Sequence, residues 1–386
     1  MTSPKRLGEV CSIIMGQAPN GDFYNTGGHG WPLIAGPGDF DGLTLAPKKY
    51  TTVAPKVTRP GDVVIGVRAS IGDKVLADGE YCLGRGVAAL RPGDLLDVRF
   101  LWHWLTYYAP SLAAKGKGAT FKQVSRKDIA DLSIDVPSKP EQRRIAGFFD
   151  EVDLLRAKRR QVMTLLDDLA VSAFMDRFGD GNGASAESLG DHLTFLTSGG
   201  RGWGKYYAEN GARFIRSLDV RMNYIGDVDA AFVRAPSNAE ARRTRVQKGD
   251  VLLTITGSLI GRAAPVVKDF GEAYVSQHVA ILRVSSKSLR PEFLSFYLTL
   301  PFGGQRQIGE LQYGQTKPGL NFAQIRNLVI PVPSLGDQDE FLSMLAEIGR
   351  NRRLCENQLA ALDALSESLR YRAFHAGLWA ELCRAD

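Results

Sequence analysis

The pattern of hydrophobic and polar residues repeats itself along the chain. Residues 59–90 and 247–282 each contain a Gly-Asp pair, an apolar β-branched run, a serine-containing turn and a second apolar run. Residues 97–108 and 289–300 follow as amphipathic stretches with aromatic residues at helical spacing. Residues 119–138 match residues 315–334 at a constant offset of 196. The pattern therefore predicts an internal duplication of one unit that contains both strands and a helix.

Each copy is followed by a long segment with apolar residues at heptad spacing. Ser138 and Glu141 have the spacing of an N-terminal capping box, and Ser334 with Asp337 forms a similar start. Each helix holds about 38 residues and would reach roughly 57 Å at 1.5 Å per residue. Arg159 interrupts the first seam, and Asn351 and Gln358 fall at inward positions of the second. The apolar coiled-coil seam is predicted at Ile145, Phe148, Val152, Leu155, Val162, Leu166, Leu169, Phe341, Met344, Ile348, Leu362, Leu365 and Leu369.

The order of segments predicts the architecture. A globular domain spans residues 1–137, a first helix and linker 138–187, a second globular domain 188–333 and a second helix 334–386. A chain that leaves one domain along a helix and returns from the other along a second helix most simply pairs the helices antiparallel. We therefore expect an α/β (α+β) fold with two globular domains at opposite ends of a two-helix coiled coil, related by a pseudo-two-fold axis.

Charge separates the globular segments from the helices. The 386 residues are 44% hydrophobic and 23% charged, as in ordinary globular proteins, with a net charge of +6. The globular segments carry +3 and +7, whereas the helical segments carry −1 and −3. Basic domains on slightly acidic helices indicate two modules that bind a polyanion.

The usual catalytic and membrane signals are missing from the sequence. No apolar stretch approaches a membrane span and the start lacks a secretory leader, so we expect a cytoplasmic protein without membrane contact. The four cysteines are scattered without CxxC spacing, which disfavours a metal site. The five histidines are isolated in sequence, which favours structural or surface roles over a catalytic base. None of the 16 lysines follows an acidic residue by two positions, as in metal-dependent nucleases, and methyltransferase and P-loop motifs are absent. We therefore predict a protein that is not an enzyme and binds no cofactor or metal itself.

With these features together, the sequence resembles the specificity subunit of Type I restriction-modification systems over essentially its whole length. Residues 13–40 (IIMGQAPNGDFYNTGGHGWPLIAGPGDF) and 196–220 (LTSGGRGWGKYYAENGARFIRSLDV) resemble the openings of target recognition domains in that family. The segments IDVPSKPEQRRI and IPVPSLGDQDEF resemble its hinge into the spacer helix. This chain departs from the family at Ser138 and Ser334, which replace the usual second proline, and at Asp337, which replaces glutamate.

The resemblance implies a non-catalytic DNA-binding subunit in phage defence. Each target recognition domain would read one half of a bipartite, asymmetric target on double-stranded DNA. Two methyltransferase subunits, which would carry S-adenosylmethionine for DNA methylation, would bind to it, and restriction and translocase subunits would join through the complex. The two spacer helices would set the unread gap between the half-sites, which in two-fold dimers lie about 34 Å apart.

Candidate DNA contacts lie in loops rich in side chains that read base edges or hold phosphates. Two basic or polar loops precede the hinges, a basic and aromatic segment opens the second domain, and residues 242–245 form the densest basic run. Arg68 and Ser70 align with Gly257 and with Ser258 or Leu259. The candidates are Arg68, Ser70, Arg85, Lys115, Lys117, Thr120, Lys122, Gln123, Arg201, Trp203, Lys205, Tyr207, Arg213, Arg242, Arg243, Arg245, Gln312, Tyr313, Gln315, Thr316 and Lys317.

Each candidate also has a structural interpretation. The loops could be solvated, Trp203 could pack beneath its loop, and Arg68 and Arg85 could be surface charges at strand edges. The aromatic residues of 102–108 are assigned to core packing instead. As alternative functions, a coiled-coil adaptor that reads no DNA, or a recognition subunit of a related methyltransferase or phage-defence system, also fits two domains joined by helices.

Overall fold

The computed structural model describes residues 4–118, 122–179, 186–312 and 319–374. The chain divides into two compact units. Unit 1 consists of Met1–Arg160 with Glu356–Asp386, and unit 2 of Gln161–Cys355. Both units mix short strands with helices, and each includes a part of both long helices, so the sequence-based helical segments are shared between the units.

The first half of the chain has twelve strands and four helices within its described residues. The strands are β1 (Lys5–Arg6), β2 (Cys11–Met15), β3 (Tyr24–Asn25), β4 (Trp31–Ile34), β5 (Phe40–Asp41), β6 (Thr44–Leu45), β7 (Lys49–Thr51), β8 (Val63–Gly66), β9 (Lys74–Leu76), β10 (Cys82–Leu83), β11 (Val87–Pro92) and β12 (Ser133–Ile134). The helices are α1 (Leu7–Val10), α2 (Val98–Ala114), α3 (Arg126–Ala130) and α4 (Lys139–Phe178).

The second half has ten strands and five helices in the part that the structure describes. The strands are β13 (Ala186–Ser188), β14 (Leu193–Ser198), β15 (Tyr207–Ala208), β16 (Ala212–Ile215), β17 (Ala231–Val233), β18 (Asp250–Thr254), β19 (Ala263–Pro265), β20 (Ala273–Val275), β21 (Val279–Val284) and β22 (Val329–Pro331). The helices are α5 (Ala239–Arg243), α6 (Pro291–Thr299), α7 (Gly304–Gln312), α8 (Phe322–Arg326) and α9 (Leu335–Phe374).

The sheets of the two units have the same topology. Unit 1 contains an antiparallel sheet ordered β2-β11-β8-β9, and unit 2 contains β14-β21-β18-β19. A second sheet, β10-β4-β7-β3, corresponds to β20-β16-β17-β15, and in both the pair at one edge is parallel. The predicted duplication is thus present in the strand order itself.

The repeated Gly-Asp pair begins the central strand of each antiparallel sheet. Asp62 is almost fully buried and receives two hydrogen bonds from the Arg91 guanidinium, at 2.8 and 2.7 Å. Asp250 is buried and is held by Arg283 in the same way, at 2.7 and 2.9 Å. Because a buried carboxylate needs a charged partner, this part of the sequence repeat has a structural origin.

Helices α2 and α6 cover one face of these sheets. Asp97 caps α2 by accepting hydrogen bonds from the backbone amides of Arg99 and Phe100. Trp104 is buried in the core of unit 1, where Trp102, Tyr107 and Tyr108 pack at its margin. The aromatic residues of this helix therefore serve packing, as the sequence predicts.

Both long helices begin at the predicted capping residues and contain 40 residues each. Ser138 donates from its hydroxyl to Glu141, and Ser334 donates to Asp337, each at 2.6 Å. The hydrogen bonds from Ser138 lower the pKa of Glu141. These contacts satisfy backbone and side-chain groups that a helix start leaves without intrahelical partners.

One buried glutamine ties each long helix to its unit. The Gln142 side-chain oxygen accepts from the Asp97 amide at 2.7 Å, and its nitrogen donates to the carbonyls of Leu95 and Pro137. Gln338 makes the equivalent bonds with Arg290, Ser288 and Pro333. Since Gln338 follows Gln142 by 196 positions, the offset found in the preceding segment continues into the helices.

The buried seam differs from the predicted one at three leucines. Ile145, Val152, Phe341 and Ile348 are buried, and Phe148, Val162, Leu166, Met344, Leu362 and Leu369 are partly buried. Leu155, Leu169 and Leu365 are 44–49% exposed, so their assignment to the seam was wrong.

The residue after each exposed leucine takes the inward place. These residues are Arg156, Ala170 and Ser366. Arg156 is half-buried and pairs with Asp153 and Asp363. Alanine and serine are small enough to let the helices approach closely. A prediction from hydrophobicity alone places the neighbouring leucines in the seam instead.

Within each unit the two helices run antiparallel. In unit 1, Phe149 stacks on Phe374 at 5.7 Å between ring centroids, and Asp153 contacts Arg370. In unit 2, Phe174 contacts Phe341 at 5.4 Å, and Arg352 pairs with Asp167 at 3.1 Å. In each unit, the residue that lies later on α4 contacts the residue that lies earlier on α9, which confirms the predicted antiparallel pairing.

Candidate nucleic-acid interface

Three loops of unit 1 meet at one end of its antiparallel sheet. The Val67 amide donates to the Gly86 carbonyl at 2.9 Å, and the Val124 amide donates to the Val67 carbonyl at 3.1 Å. Lys117 and Gln123 exchange two backbone hydrogen bonds, and Arg68 lies opposite Gln123. Candidates that are far apart in sequence are therefore neighbours in space.

We name this surface patch 1. All of its side chains are exposed, and five of the seven are cations. The hydrogen bonds from Ser125, and then the charges of Lys117 and Lys115, lower the pKa of Asp128 beside it. Patch 1 consists of Arg68, Ser70, Arg85, Lys115, Lys117, Lys122 and Gln123.

A tight turn presents the first residues of patch 1. Ala69 adopts a left-handed conformation with φ of 61°. Its equivalent in unit 2 is Gly257, with φ of 91°. A non-glycine residue rarely takes this conformation, so the turn is held by its surroundings, including the bond from the Ala69 amide to the Lys122 carbonyl.

The same backbone framework recurs in unit 2 with different side chains. The Ile255 amide donates to the His278 carbonyl and the Leu320 amide to the Ile255 carbonyl, both at 2.9 Å. Thr256 lies opposite Gly319, as Arg68 lies opposite Gln123. Arg68 therefore corresponds to Thr256, which corrects the sequence-based pairing with Gly257. By the same framework Arg85 corresponds to Gln277 and Gly86 to His278.

Two arginines lie on segments that neighbour the segment of Gln277. A Cβ atom at Gly199 would lie 2.1 Å from the Val275 carbonyl, so the segment before Arg201 runs against the segment before Gln277. The Arg243 guanidinium donates to the Ser198 carbonyl at 3.0 Å and to the Thr197 hydroxyl. We define patch 2 as Arg201, Arg243, Thr256, Gln277 and His278.

Two candidates from residues 196–220 are instead part of the core of unit 2. Trp203 is 4% exposed, stacks on Phe214 at 5.2 Å and donates to Glu240 at 2.9 Å. Arg213 is 6% exposed; its guanidinium donates to three backbone carbonyls and lies 3.6 Å from Asp219. Both side chains are buried and hydrogen-bonded inside the unit, so we withdraw the DNA contact for Trp203 and Arg213.

Four other candidates, Lys205, Tyr207, Arg242 and Arg245, are exposed but do not belong to patch 2, and Gln312 is half-buried. Lys205 lies over the Tyr206 ring and Tyr207 belongs to β15, at the edge of the sheet opposite to β20. Arg242 is exposed on α5, and Arg245 pairs through its backbone with Tyr274. Gln312 ends α7 and donates to the Ile308 carbonyl. Thr120, Tyr313, Gln315, Thr316 and Lys317 lie outside the described residues.

The sequence reasoning missed Thr256, Gln277 and His278. His278 was treated with the other histidines as a structural or surface residue. The available signal was the alignment of CLGRGVAAL with YVSQHVAIL, which places Gln277 opposite Arg85. This alignment identifies Gln277 and its neighbour His278, whereas only the folded backbone pairs Thr256 with Arg68.

Neither a metal cluster nor a membrane span is found in the described ranges. Among residues 4–118, 122–179, 186–312 and 319–374, no three His, Cys, Asp or Glu side chains group as metal ligands. Within the same ranges, no helix is both long and apolar enough to cross a membrane.

Comparison with known proteins identifies related chains. The family model for the "Type I restriction modification DNA specificity domain" matches residues 2–164 and 236–364. The Methanocaldococcus jannaschii "Putative type I restriction enzyme MjaX specificity subunit" is 35% identical over 39% of this chain, a match that spans only 36% of that relative. The Escherichia coli "Type I restriction enzyme EcoBI specificity subunit" is 22% identical over 83% of this chain and 74% of the relative.

Solved structures show the same fold. The S subunit of a Type-I restriction-modification system from M. genitalium superposes with a TM-score of 0.57 and 16% identity, covering 97% of this chain and 96% of that one. A chain from a structural study of complex assembly and conformational transition in the type I R-M system gives a TM-score of 0.66 and 18% identity, over 96% and 97% of the two chains.

Proposed function

Because the chain belongs to the family of Type I restriction-modification DNA specificity domains, we propose that it reads a bipartite, asymmetric target on double-stranded DNA. One observation carries this proposal: two units of the same topology present exposed polar patches at the same place with different side chains. Arg68 and Arg85 in patch 1 stand where patch 2 has Thr256 and Gln277. A repeated framework with different contact residues suits the reading of two different half-sites.

The charge of the patches supports DNA as the ligand. Patch 1 presents arginine and lysine side chains, and patch 2 has Arg201 and Arg243 beside its amide and imidazole groups. Cations hold phosphates without regard to sequence, whereas arginine and glutamine also pair with base edges. Both kinds of group occur in each patch.

We further propose that catalysis lies on partner subunits. The sequence contains no methyltransferase, nuclease or P-loop motif, which supports a subunit without activity or cofactor of its own. Two methyltransferase subunits carrying S-adenosylmethionine would modify the target, and restriction and translocase subunits would join through that complex in the cytoplasm. The adaptor alternative, in which no DNA is read, has no support in the family or the fold.

The test is selection of bound duplexes from a random library, with the purified chain alone and with its methyltransferase partner. We expect two unlike groups of preferred bases separated by a gap without preference. Affinity should also fall steeply as salt is raised, because phosphate contacts release counterions. Equal binding to all duplexes in both preparations would contradict the proposal.

A further inference from the structure

Three polar side chains of patch 2 form a continuous chain on the surface. His278 contacts the Thr256 hydroxyl through Nδ1 and the Gln277 side-chain nitrogen through Nε2, the latter at 3.1 Å. Gln277 and His278 are exposed and Thr256 is half-buried. Within patch 2, this group provides both donors and acceptors without a positive charge.

The hydrogen-bonding roles in this chain follow from its chemistry. The Gln277 side-chain nitrogen only donates, so His278 Nε2 must accept. A neutral imidazole has a single N–H, which then lies on Nδ1 and donates to the Thr256 hydroxyl oxygen. The second N–H of Gln277 and its carbonyl oxygen belong to the same planar amide. Neither makes a hydrogen bond to residues 4–118, 122–179, 186–312 or 319–374.

We propose that Gln277 reads an adenine in the half-site of unit 2, with His278 and Thr256 as positioning residues. In the major groove adenine presents the N7 acceptor beside the N6 donor, which matches the free N–H and carbonyl oxygen of a glutamine amide. His278 fixes the amide by holding its other N–H, and Thr256 fixes the histidine. The inference rests on the proposed DNA-reading function and adds which residue reads and which base it prefers.

Unit 1 has different side chains at the equivalent positions. Arg85 replaces Gln277 and Gly86 replaces His278. A Cβ atom at Gly86 would lie 2.4 Å from the Ala35 carbonyl oxygen and 3.0 Å from Gly36 Cα, so no histidine fits there. An arginine needs no positioning residue because its planar guanidinium already presents two parallel donors, which match O6 and N7 of guanine. Arg85 is therefore expected to prefer guanine.

The experiment compares base preferences of full-length variants in the same duplex selection. Gln277→Ala should lose one adenine preference in one half-site, by roughly 5- to 150-fold as for a bidentate contact, and keep the other half-site. Gln277→Arg should convert that position from adenine to guanine. Arg85→Gln should lose a guanine preference in the other half-site without gaining adenine, since Gly86 offers no orienting histidine.

The positioning role requires a separate comparison. Thr256→Val removes the acceptor of the histidine proton but keeps the side-chain shape, and should weaken the same adenine preference while the other half-site keeps its base preferences. Thr256→Ser keeps the hydroxyl and should retain the preference. His278→Ala should behave like Thr256→Val. Equal effects of valine and serine at position 256 would overturn the positioning role.

The matched control is Gln247→Ala. Gln247 is exposed and precedes the start of β18, whereas Thr256 follows the other end of that strand. This control variant should select the same bases as the wild-type chain in both half-sites. If the wild-type chain selects a motif that Gln277→Ala and Gln277→Arg leave unchanged, or if both weaken all duplexes equally, the inference is wrong while the proposed function stands. If the wild-type chain selects no motif, the proposed function itself fails.

Discussion

The two units join the long helices through equivalent positions, and both junctions contain packed aromatic rings. Unit 1 adds buried charged groups where unit 2 adds further rings, so we call the first the charged junction and the second the aromatic junction. In unit 1, His103 is buried beside Asp150, and Asp153 contacts Arg370. In unit 2, Phe296 replaces His103 and Phe174 replaces Arg370. Phe174 contacts five rings, Phe178, Phe293, Phe296, Tyr297 and Phe341, at centroid distances of 5.1–6.0 Å.

The charged junction extends to a lysine of unit 1. Lys74 donates to the Thr106 hydroxyl at 2.7 Å and lies 4.4 Å from the Trp102 ring centre. Burial lowers the pKa of Lys74 to about 8 and also lowers that of Arg370. The stability that buried charges contribute depends on their partners and on pH, whereas the stability from aromatic packing depends on buried area and shape complementarity. The same framework is thus stabilised in two physically different ways.

The largest effect is expected in the aromatic junction. Phe174→Ala should lower the free energy of unfolding of unit 2 by about 3–5 kcal/mol, because it removes a fully buried ring and leaves a cavity. Hydrogen exchange of unit 2 peptides during urea unfolding measures the loss. Leu169→Ala, at an exposed position of the same helix, is the control and should cost less than about 1 kcal/mol.

Lowering the pH should destabilise the charged junction of unit 1 and not the aromatic junction of unit 2. Burial lowers the pKa of His103 from 6.5 to about 4, so the unfolded chain takes up a proton that folded unit 1 excludes between these values. The contribution of His103 to the free energy of unfolding is fully present above pH 6.5. It is lost as the pH falls toward 4, at up to about 1.4 kcal/mol per pH unit. Unfolding of unit 1 should show this loss, and His103→Phe should abolish it.

Removing one charge should weaken unit 1 to a smaller extent. Asp153→Asn deprives Arg370 and Arg156 of a partner, and we expect a loss of about 1–2 kcal/mol because Asp153 is partly exposed and solvent screens it. Urea midpoints at pH 7 measure the change. If unit 2 were destabilised by as much as unit 1, the effect would not belong to this junction.

The smallest effects concern two equivalent ion pairs. Arg156 pairs with Asp363 in unit 1, and Arg352 pairs with Asp167 in unit 2. The two arginines lie 196 positions apart in sequence, and so do the two aspartates. Asp167→Asn should cost less than about 0.5 kcal/mol, and Asp363→Asn about 1 kcal/mol, since Arg156 is more buried than Arg352. A larger loss from Asp167→Asn would reverse the order of the two pairs.

The sequence predicted the fold well wherever local pattern decides structure. The duplication, both capping boxes and the antiparallel helices follow from turn residues, capping residues and heptad spacing, all of which act over short distances. The seam at Leu155 could not be predicted in this way. Arg156 takes the inward place through Asp363, which lies more than 200 positions away.

The candidate interface was predicted less completely than the fold. Patch 1 emerged because arginine and lysine in loops point to DNA by their chemistry alone. Trp203 and Arg213 have equally suitable chemistry, but distant partners, Glu240 and Asp219 among them, hold them inside unit 2. Gln277 and His278 carry no charge, and their role depends on a contact with Thr256 that only the folded chain reveals.

The central claim is that each unit reads its own half of the target. The most direct measurement compares base preferences of the wild-type chain, Arg68→Ala with Arg85→Ala, and Gln277→Ala in one random-duplex selection with the methyltransferase partner present. The account predicts that the arginine variant relaxes one half-site and the glutamine variant relaxes only the other. Relaxation of the same half-site by both variants, or equal weakening over the whole target, would contradict it.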